Sequence, residues 1–252
     1  YSRIRKVYYQ ILEACRTRKP KVALLMDYPG FNLKLMKDLH AIGIKVVYYI
    51  SPQIWAWKQN RVKIIRRYCD KMLVVFPFEV DFYRNHGIEV EFVGHPLLDE
   101  ISPENSMEIQ RQKFGIQSDE LVVGIMPGSR KVEIKNHLAT QLQVANALAL
   151  KHPKVRLALL VAPSFSKDYF EDKVAGLSSP LIVMKDDPLK MIQMVDLMLA
   201  ASGTATLMVG LLKKPMVVIY KMSALTAFIL KCIVKSKFFC IVNLILNREV
   251  VP

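Results

Sequence analysis

The chain is short of the residues that several function classes depend on. It has four cysteines, Cys15, Cys69, Cys232 and Cys240. They stand far apart and form no CxxC pair, which argues against a disulfide scaffold or a paired-thiol redox site. They read as reduced packing thiols of a cytosolic protein. The five histidines are scattered, and no His/Cys group has the spacing of a zinc site. No uncharged apolar run reaches the ~20 residues of a membrane-spanning helix. The longest, Leu197–Leu212, is interrupted by Ser202-Gly203-Thr204 and reads as strand, turn and helix start. No signal peptide is visible. There is no initiator Met before Tyr1 and no closing helix after Val251-Pro252. The expectation is therefore a piece of a longer protein.

Acidic residues are also scarce. There are 22 Asp+Glu against 36 Lys+Arg, a net charge of +14. That balance favours anionic partners: nucleic acid, phosphorylated small molecules or an acidic membrane surface. Leu197–Arg248 contains no acid at all. It carries Lys213, Lys214, Lys221, Lys231, Lys235, Lys237 and Arg248 beside the apolar pieces AFIL and FFCIVNLIL. Such a segment suits either an anionic lipid surface or a buried helix whose lysines snorkel.

What is present is core-forming material in a regular order. Hydrophobic residues make up 52% of the 252. That length exceeds the ~100–200 residues of one domain, so two are expected. After a basic helix at Ser2–Arg18, strand-like runs at Lys21–Met26, Ile44–Ile50, Lys71–Phe76 and Val90–Val93 alternate with helical patterns, Leu33–Ile42 among them. Short Gly/Pro turns join them, which indicates parallel βαβ units. The polar stretch Leu97–Asp119 reads as a linker. The alternation then restarts with strand Leu121–Met126 and helix Glu133–Lys151 and runs on to strand Pro215–Tyr220. The expected fold is α/β, with two Rossmann-like domains in series facing a cleft. Residues 1–98 form the first, lacking its opening strands; 99–119 form the boundary; 120–252 form the second.

Two strand-to-helix turns of the second half could hold an anion. After Leu121–Met126 come Pro127-Gly128-Ser129-Arg130, and after Leu197–Ala200 come Ala201-Ser202-Gly203-Thr204-Ala205. Backbone N–H groups and the positive helix end collect at such turns, and Arg130 adds a planar fork for a phosphate. Ordinary helix caps would look the same. The pair together with Arg130 favours a diphosphate gripped from two sides. Asp27 lies at a strand end in the first half and could act as a general base, or simply bond its own turn before Pro29. His95, in Gly94-His95-Pro96, is another strand-end residue, structural by default. Trp55 and Trp57 read as packing residues.

These residues resemble one family, the bacterial lipid-A-disaccharide synthases, glycosyltransferases with two Rossmann-like domains (the GT-B type). The resemblance rests on Asp27-Tyr28-Pro29-Gly30-Phe31-Asn32, Ser51-Pro52-Gln53-Ile54-Trp55-Ala56-Trp57, Phe76-Pro77-Phe78-Glu79, Val93-Gly94-His95-Pro96, Met126-Pro127-Gly128-Ser129-Arg130, Ala201-Ser202-Gly203-Thr204-Ala205 and Asn243 with Asn247-Arg248-Glu249. It covers nearly the whole chain. It implies transfer from UDP-2,3-diacylglucosamine to 2,3-diacylglucosamine 1-phosphate with inversion, without metal or cofactor, at the cytoplasmic face of the inner membrane. It implies Asp27 as base, Arg130 with Gly128 and Ser129 as donor-phosphate contacts, and Ser202, Gly203, Thr204 and Ala205 as a second UDP-binding turn. Asn32, His95, Asn243, Arg248 and Glu249 are implied as cleft residues. No nucleic-acid partner is implied. Two departures stand out: many members have Asp where Gly30 stands, and Glu, a ribose contact, where Met208 stands. Rival readings are a UDP-N-acetylglucosamine epimerase of the same build, or a basic module binding nucleic acid or anionic membranes.

Overall fold

The computed structural model describes residues 2–101, 107–222, 238 and 240–252. Pro103–Ser106 of the expected linker, AFIL at 227–230, Lys231, Cys232, Lys235 and Lys237 lie outside the described residues. The chain divides into two compact units, the first ending at Pro96 and the second beginning at Leu97.

The first unit holds one parallel sheet in the order β1-β2-β3-β4: β1 Val22–Met26, β2 Lys45–Tyr49, β3 Lys71–Val74 and β4 Val90–Phe92. Among the described residues four α-helices accompany it: α1 Ser2–Arg18, α2 Pro29–Ala41, α3 Val62–Tyr68 and α4 Pro77–Arg84. Tyr8 and Leu12 of α1, Leu33, Met36 and Leu39 of α2, and Val46 and Tyr48 of β2 meet in its core. Two expectations need correcting here. Helix α2 starts at Pro29, not Leu33, because a proline already has the helical φ and has no N–H to leave unpaired at a first turn. The apolar run Val22–Met26 reads as a buried-type strand, yet β1 leaves one face open: Val22, Leu24 and Met26 are exposed while Leu25, on the other face, points into the core.

The second unit holds a five-stranded parallel sheet in the order β7-β6-β5-β8-β9. Its strands are β5 Leu121–Met126, β6 Val155–Leu160, β7 Leu181–Met184, β8 Leu197–Ala201 and β9 Met216–Ile219. Its helices include α5 Met107–Lys113, α6 Lys131–Lys151, α7 Asp168–Val174, α8 Pro188–Gln193 and α9 Ala205–Leu211. The chain moves outward from β5 through β6 to β7, then returns to lay β8 on the other side of β5. The order therefore reverses between β5 and β8, and ligands of open α/β sheets bind at the carboxyl ends of strands that flank such a reversal.

The stretch 99–119 is not a free linker where it is described. Helix α5 packs on α8, Ile116 enters the core, and Arg111 is buried. Arg111 pairs with Asp196 and donates from Nε to the Met194 carbonyl (3.0 Å). Asp196 also accepts the Val122 N–H (2.7 Å), so one ion pair anchors α5 to the start of both central strands. Within β5, a Cβ on Gly124 would lie 2.9 Å from Met198 and Val195, which is why a glycine interrupts this otherwise branched run.

Candidate functional site

A cavity of about 370 Å³ opens at the carboxyl ends of β5 and β8. The two turns singled out in the sequence both line it: Gly128, Ser129 and Arg130 on one side, Ala201 to Ala205 on the other. Its remaining wall is mostly apolar and, Met208 apart, was not foreseen: Met126, Leu160 to Pro163, Pro188, Met191, Met208 and Tyr220. Gln141 of α6 is fully buried and donates from Nε2 to the Met126 and Leu199 carbonyls, both at 3.2 Å. It ties the last residue of β5 to the middle of β8 beneath the cavity. His137, one turn earlier, accepts the Lys221 N–H on Nε2 (2.9 Å), and its ring stacks on Tyr220 at 5.9 Å.

The two turns, both expected to grip a diphosphate, differ in how their donors are used. At β5 the donors are occupied. Glu133 Oε2 accepts the Ser129 N–H (2.8 Å) and the Arg130 N–H (3.2 Å), and its Oε1 accepts from Arg130 Nη1 (2.7 Å). The helix caps itself with its own carboxylate. Partial burial disfavours that charge, but the Ser129 N–H and Arg130 outweigh it and hold the Glu133 pKa below the ordinary carboxylate value. Gly128 has φ +117°, and a Cβ there would meet Glu133 Cβ at 2.5 Å. At β8 the first hydrogen bond of the next helix runs from the Thr206 N–H to the Gly203 carbonyl (3.1 Å), so the N–H groups of Thr204 and Ala205 precede it. Gly203 and Thr204 are exposed.

The remaining candidates belong to other places. Asp27 follows β1 with φ 46° and Tyr28 with φ 41°, two consecutive left-handed residues without glycine. Asn32 is buried and donates from Nδ2 to the Met26 (2.9 Å) and Asp27 (2.8 Å) carbonyls; the Tyr48 hydroxyl donates to the Asp27 carbonyl as well. The Asp27 side chain is exposed at the strand's end. Asn32 thus positions Asp27 through its backbone. Asn243, expected as a cleft residue, is buried and uses its amide internally: Nδ2 donates to the Val251 carbonyl (2.7 Å), and Oδ1 accepts the Val250 and Val251 N–H groups. It fastens the chain's last residues and does not line the cavity. Arg248 and Glu249 are exposed and do not line it either. His95 is half-buried with its ring 5.3 Å from that of Phe76.

Glu79, absent from the expected site, is a buried carboxylate of the first unit. It accepts the Val75 and Phe76 N–H groups and the Trp55 Nε1–H. Burial raises its pKa to about 6 despite those donors. The signal was present in Pro77-Phe78-Glu79, an acid in the first turn of a proline-started helix.

Two parallel-sheet units, the second with a cavity at its strand-order reversal, define an α/β fold of the GT-B type. Solved structures with this fold include UDP-GlcNAc 2-epimerase from Neisseria meningitidis bound to UDP-GlcNAc (TM-score 0.60, 14% identity, 90% of this chain and 67% of that one). S. aureus MnaA with UDP is another (TM-score 0.65, 11% identity, 98% and 71%). The chain matches the profile of the lipid-A-disaccharide synthetase family over residues 2–252 and belongs to that family. It is 38% identical over 249 residues to lipid-A-disaccharide synthase 1 of Legionella pneumophila subsp. pneumophila, covering 98% of this chain and 65% of that protein. It is 35% identical over 250 residues to lipid-A-disaccharide synthase of Myxococcus xanthus, covering 99% and 65%. The chain therefore spans 65% of the length of these curated relatives.

Proposed function

We propose that the protein is a glycosyltransferase that joins UDP-2,3-diacylglucosamine to 2,3-diacylglucosamine 1-phosphate, giving lipid A disaccharide 1-phosphate and UDP with inversion. The observation that carries the donor half is the cavity at the β5/β8 reversal, where Arg130 and the turn after β8 line one pocket. The diphosphate would lie on Gly203, Thr204 and Ala205 under the Arg130 guanidinium. The nucleoside would lie against Pro188, Met191 and Met208. Charge that develops on the leaving diphosphate is stabilised by fixed donors, which need no reorganisation as the bond breaks.

Asp27 supplies the base. The acceptor 6-hydroxyl oxygen attacks the anomeric carbon, the bond to UDP breaks, and the hydroxyl proton passes to the Asp27 carboxylate. Asn32 and Tyr48 keep that residue in its left-handed backbone conformation. The acylated substrates favour work at an anionic membrane on its cytoplasmic face. No described helix is long and apolar enough to cross a membrane. The net charge of +14 and the exposed Ile4, Val7 and Tyr9, set among Arg3, Arg5 and Lys6 on α1, support surface attachment.

The test is incubation of the protein with both acylated substrates, following UDP and disaccharide. UDP and disaccharide are expected in equal amounts, and Asp27→Ala and Arg130→Ala are each expected to slow turnover by about 100-fold or more. Near-normal rates in either variant would remove that residue from the mechanism. Epimerisation of unacylated UDP-N-acetylglucosamine without disaccharide would replace the whole reading.

A further inference from the structure

The side chain of Arg130 is 80% exposed, whereas that of Glu133 is only 21% exposed. A long, solvated arginine has many rotamers and no reason to keep one of them. Here one carboxylate restrains both ends of the residue, its backbone N–H and its Nη1. The same carboxylate takes the Ser129 N–H, and the Ser129 carbonyl accepts the Ser164 hydroxyl (3.2 Å). The space for this carboxylate exists only because residue 128 lacks a side chain: a Cβ there would lie 2.6 Å from Glu133 Oε2. Gly128, Ser129, Arg130 and Glu133 all line the one cavity.

We propose that Glu133 is a positioning residue that acts through Arg130: it fixes the guanidinium over the cavity, where the ligand's phosphates would meet it. This inference rests on the UDP-sugar reading above. A guanidinium has five N–H donors in a rigid fork. With Nη1 engaged by Glu133, the others keep a set direction and can meet phosphate oxygens without first being ordered. A competing physical outcome exists. The Glu133 carboxylate could instead repel the diphosphate and compete with it for Arg130, and its removal would then tighten binding. The two have opposite signs.

The experiment is calorimetric titration of UDP into the protein and into Glu133→Ala, Arg130→Ala and the double variant. Each single change is expected to weaken UDP binding by about tenfold. The double variant is expected to bind within about twofold of Arg130→Ala, since a residue acting only through Arg130 has nothing left to contribute. In NMR spectra the Arg130 Nε–H signal is expected to move toward that of free arginine in Glu133→Ala. Should the alanine variant fail to fold, Glu133→Gln, which keeps an oxygen for the turn amides, enters the same cycle. Tighter UDP binding on loss of Glu133, or losses that multiply in the double variant, would overturn the inference alone. A parent protein without UDP affinity would overturn the UDP-sugar reading and this inference with it.

Discussion

Asn32 Nδ2 donates to the Asp27 carbonyl at 2.8 Å, five residues back along the chain, and holds Asp27 in the left-handed region at φ 46°. The same amide takes the Met26 carbonyl. A buried asparagine in the first turns of α2 therefore fixes the backbone of the proposed base, although it is not itself at the reacting atoms.

Asn32→Ala removes the amide donor from the Met26 carbonyl, in a part-buried bond, and deprives the Asp27 carbonyl of one of two donors. Stability should fall by about 1–3 kcal/mol, measured by urea unfolding. Turnover should fall about tenfold or more as Asp27 loses its orientation. An unchanged rate in a destabilised protein would confine Asn32 to folding.

Gly128→Ala forces a Cβ to within 2.5 Å of the Glu133 side chain at a φ of +117°. Strain of about 1–3 kcal/mol is expected. Because it falls on the turn that carries Arg130, UDP binding should weaken by about tenfold. Normal affinity by titration would show that the turn relaxes freely.

Glu79 sets a pH dependence of stability. Burial raises its folded pKa from 4.5 to about 6, so between those values the folded state holds more proton than the unfolded state. Stability contributed by this group is then highest below pH 4.5 and declines as pH rises to about 6, by about 2 kcal/mol in all. Denaturant melts across pH 4–7 should show this decline, and Glu79→Gln should remove it. An unchanged slope in the variant would assign the effect to other groups.

Met208 lines the cavity, and we propose that the ribose lies against it. Met208→Glu places a carboxylate there. It should strengthen UDP binding by about tenfold through a charge-assisted bond to a ribose hydroxyl, and leave inorganic diphosphate unaffected. Equal effects on both ligands would remove the ribose from this wall.

The turn at β5 was legible because its signals are local. An apolar branched run ends at Pro127-Gly128, and strand Leu121–Met126 has the expected bounds. The role of Glu133 was half-legible: an acid in the first turn of a helix reads as a cap, yet nothing local says that the cap consumes the amides expected for phosphate. Long-range pairings were not legible. Arg111 meets Asp196 across 85 residues, so 99–119 read as a polar linker. Leu24 and Met26 look as buried as Leu25 by type, and only the face of the sheet to which each points separates them. Asn243 matched the family motif by sequence, while its commitment to Val250 and Val251 is visible only in the folded chain.

The most direct measurement is titration of UDP into isotope-labelled protein, followed by the backbone amide signals. The account predicts saturable shifts at Gly203, Thr204 and Ala205 and at the Arg130 side chain, with small changes at the Ser129 amide that Glu133 already holds. Saturable shifts centred elsewhere, or none at UDP concentrations that saturate a known UDP-sugar enzyme, would contradict it.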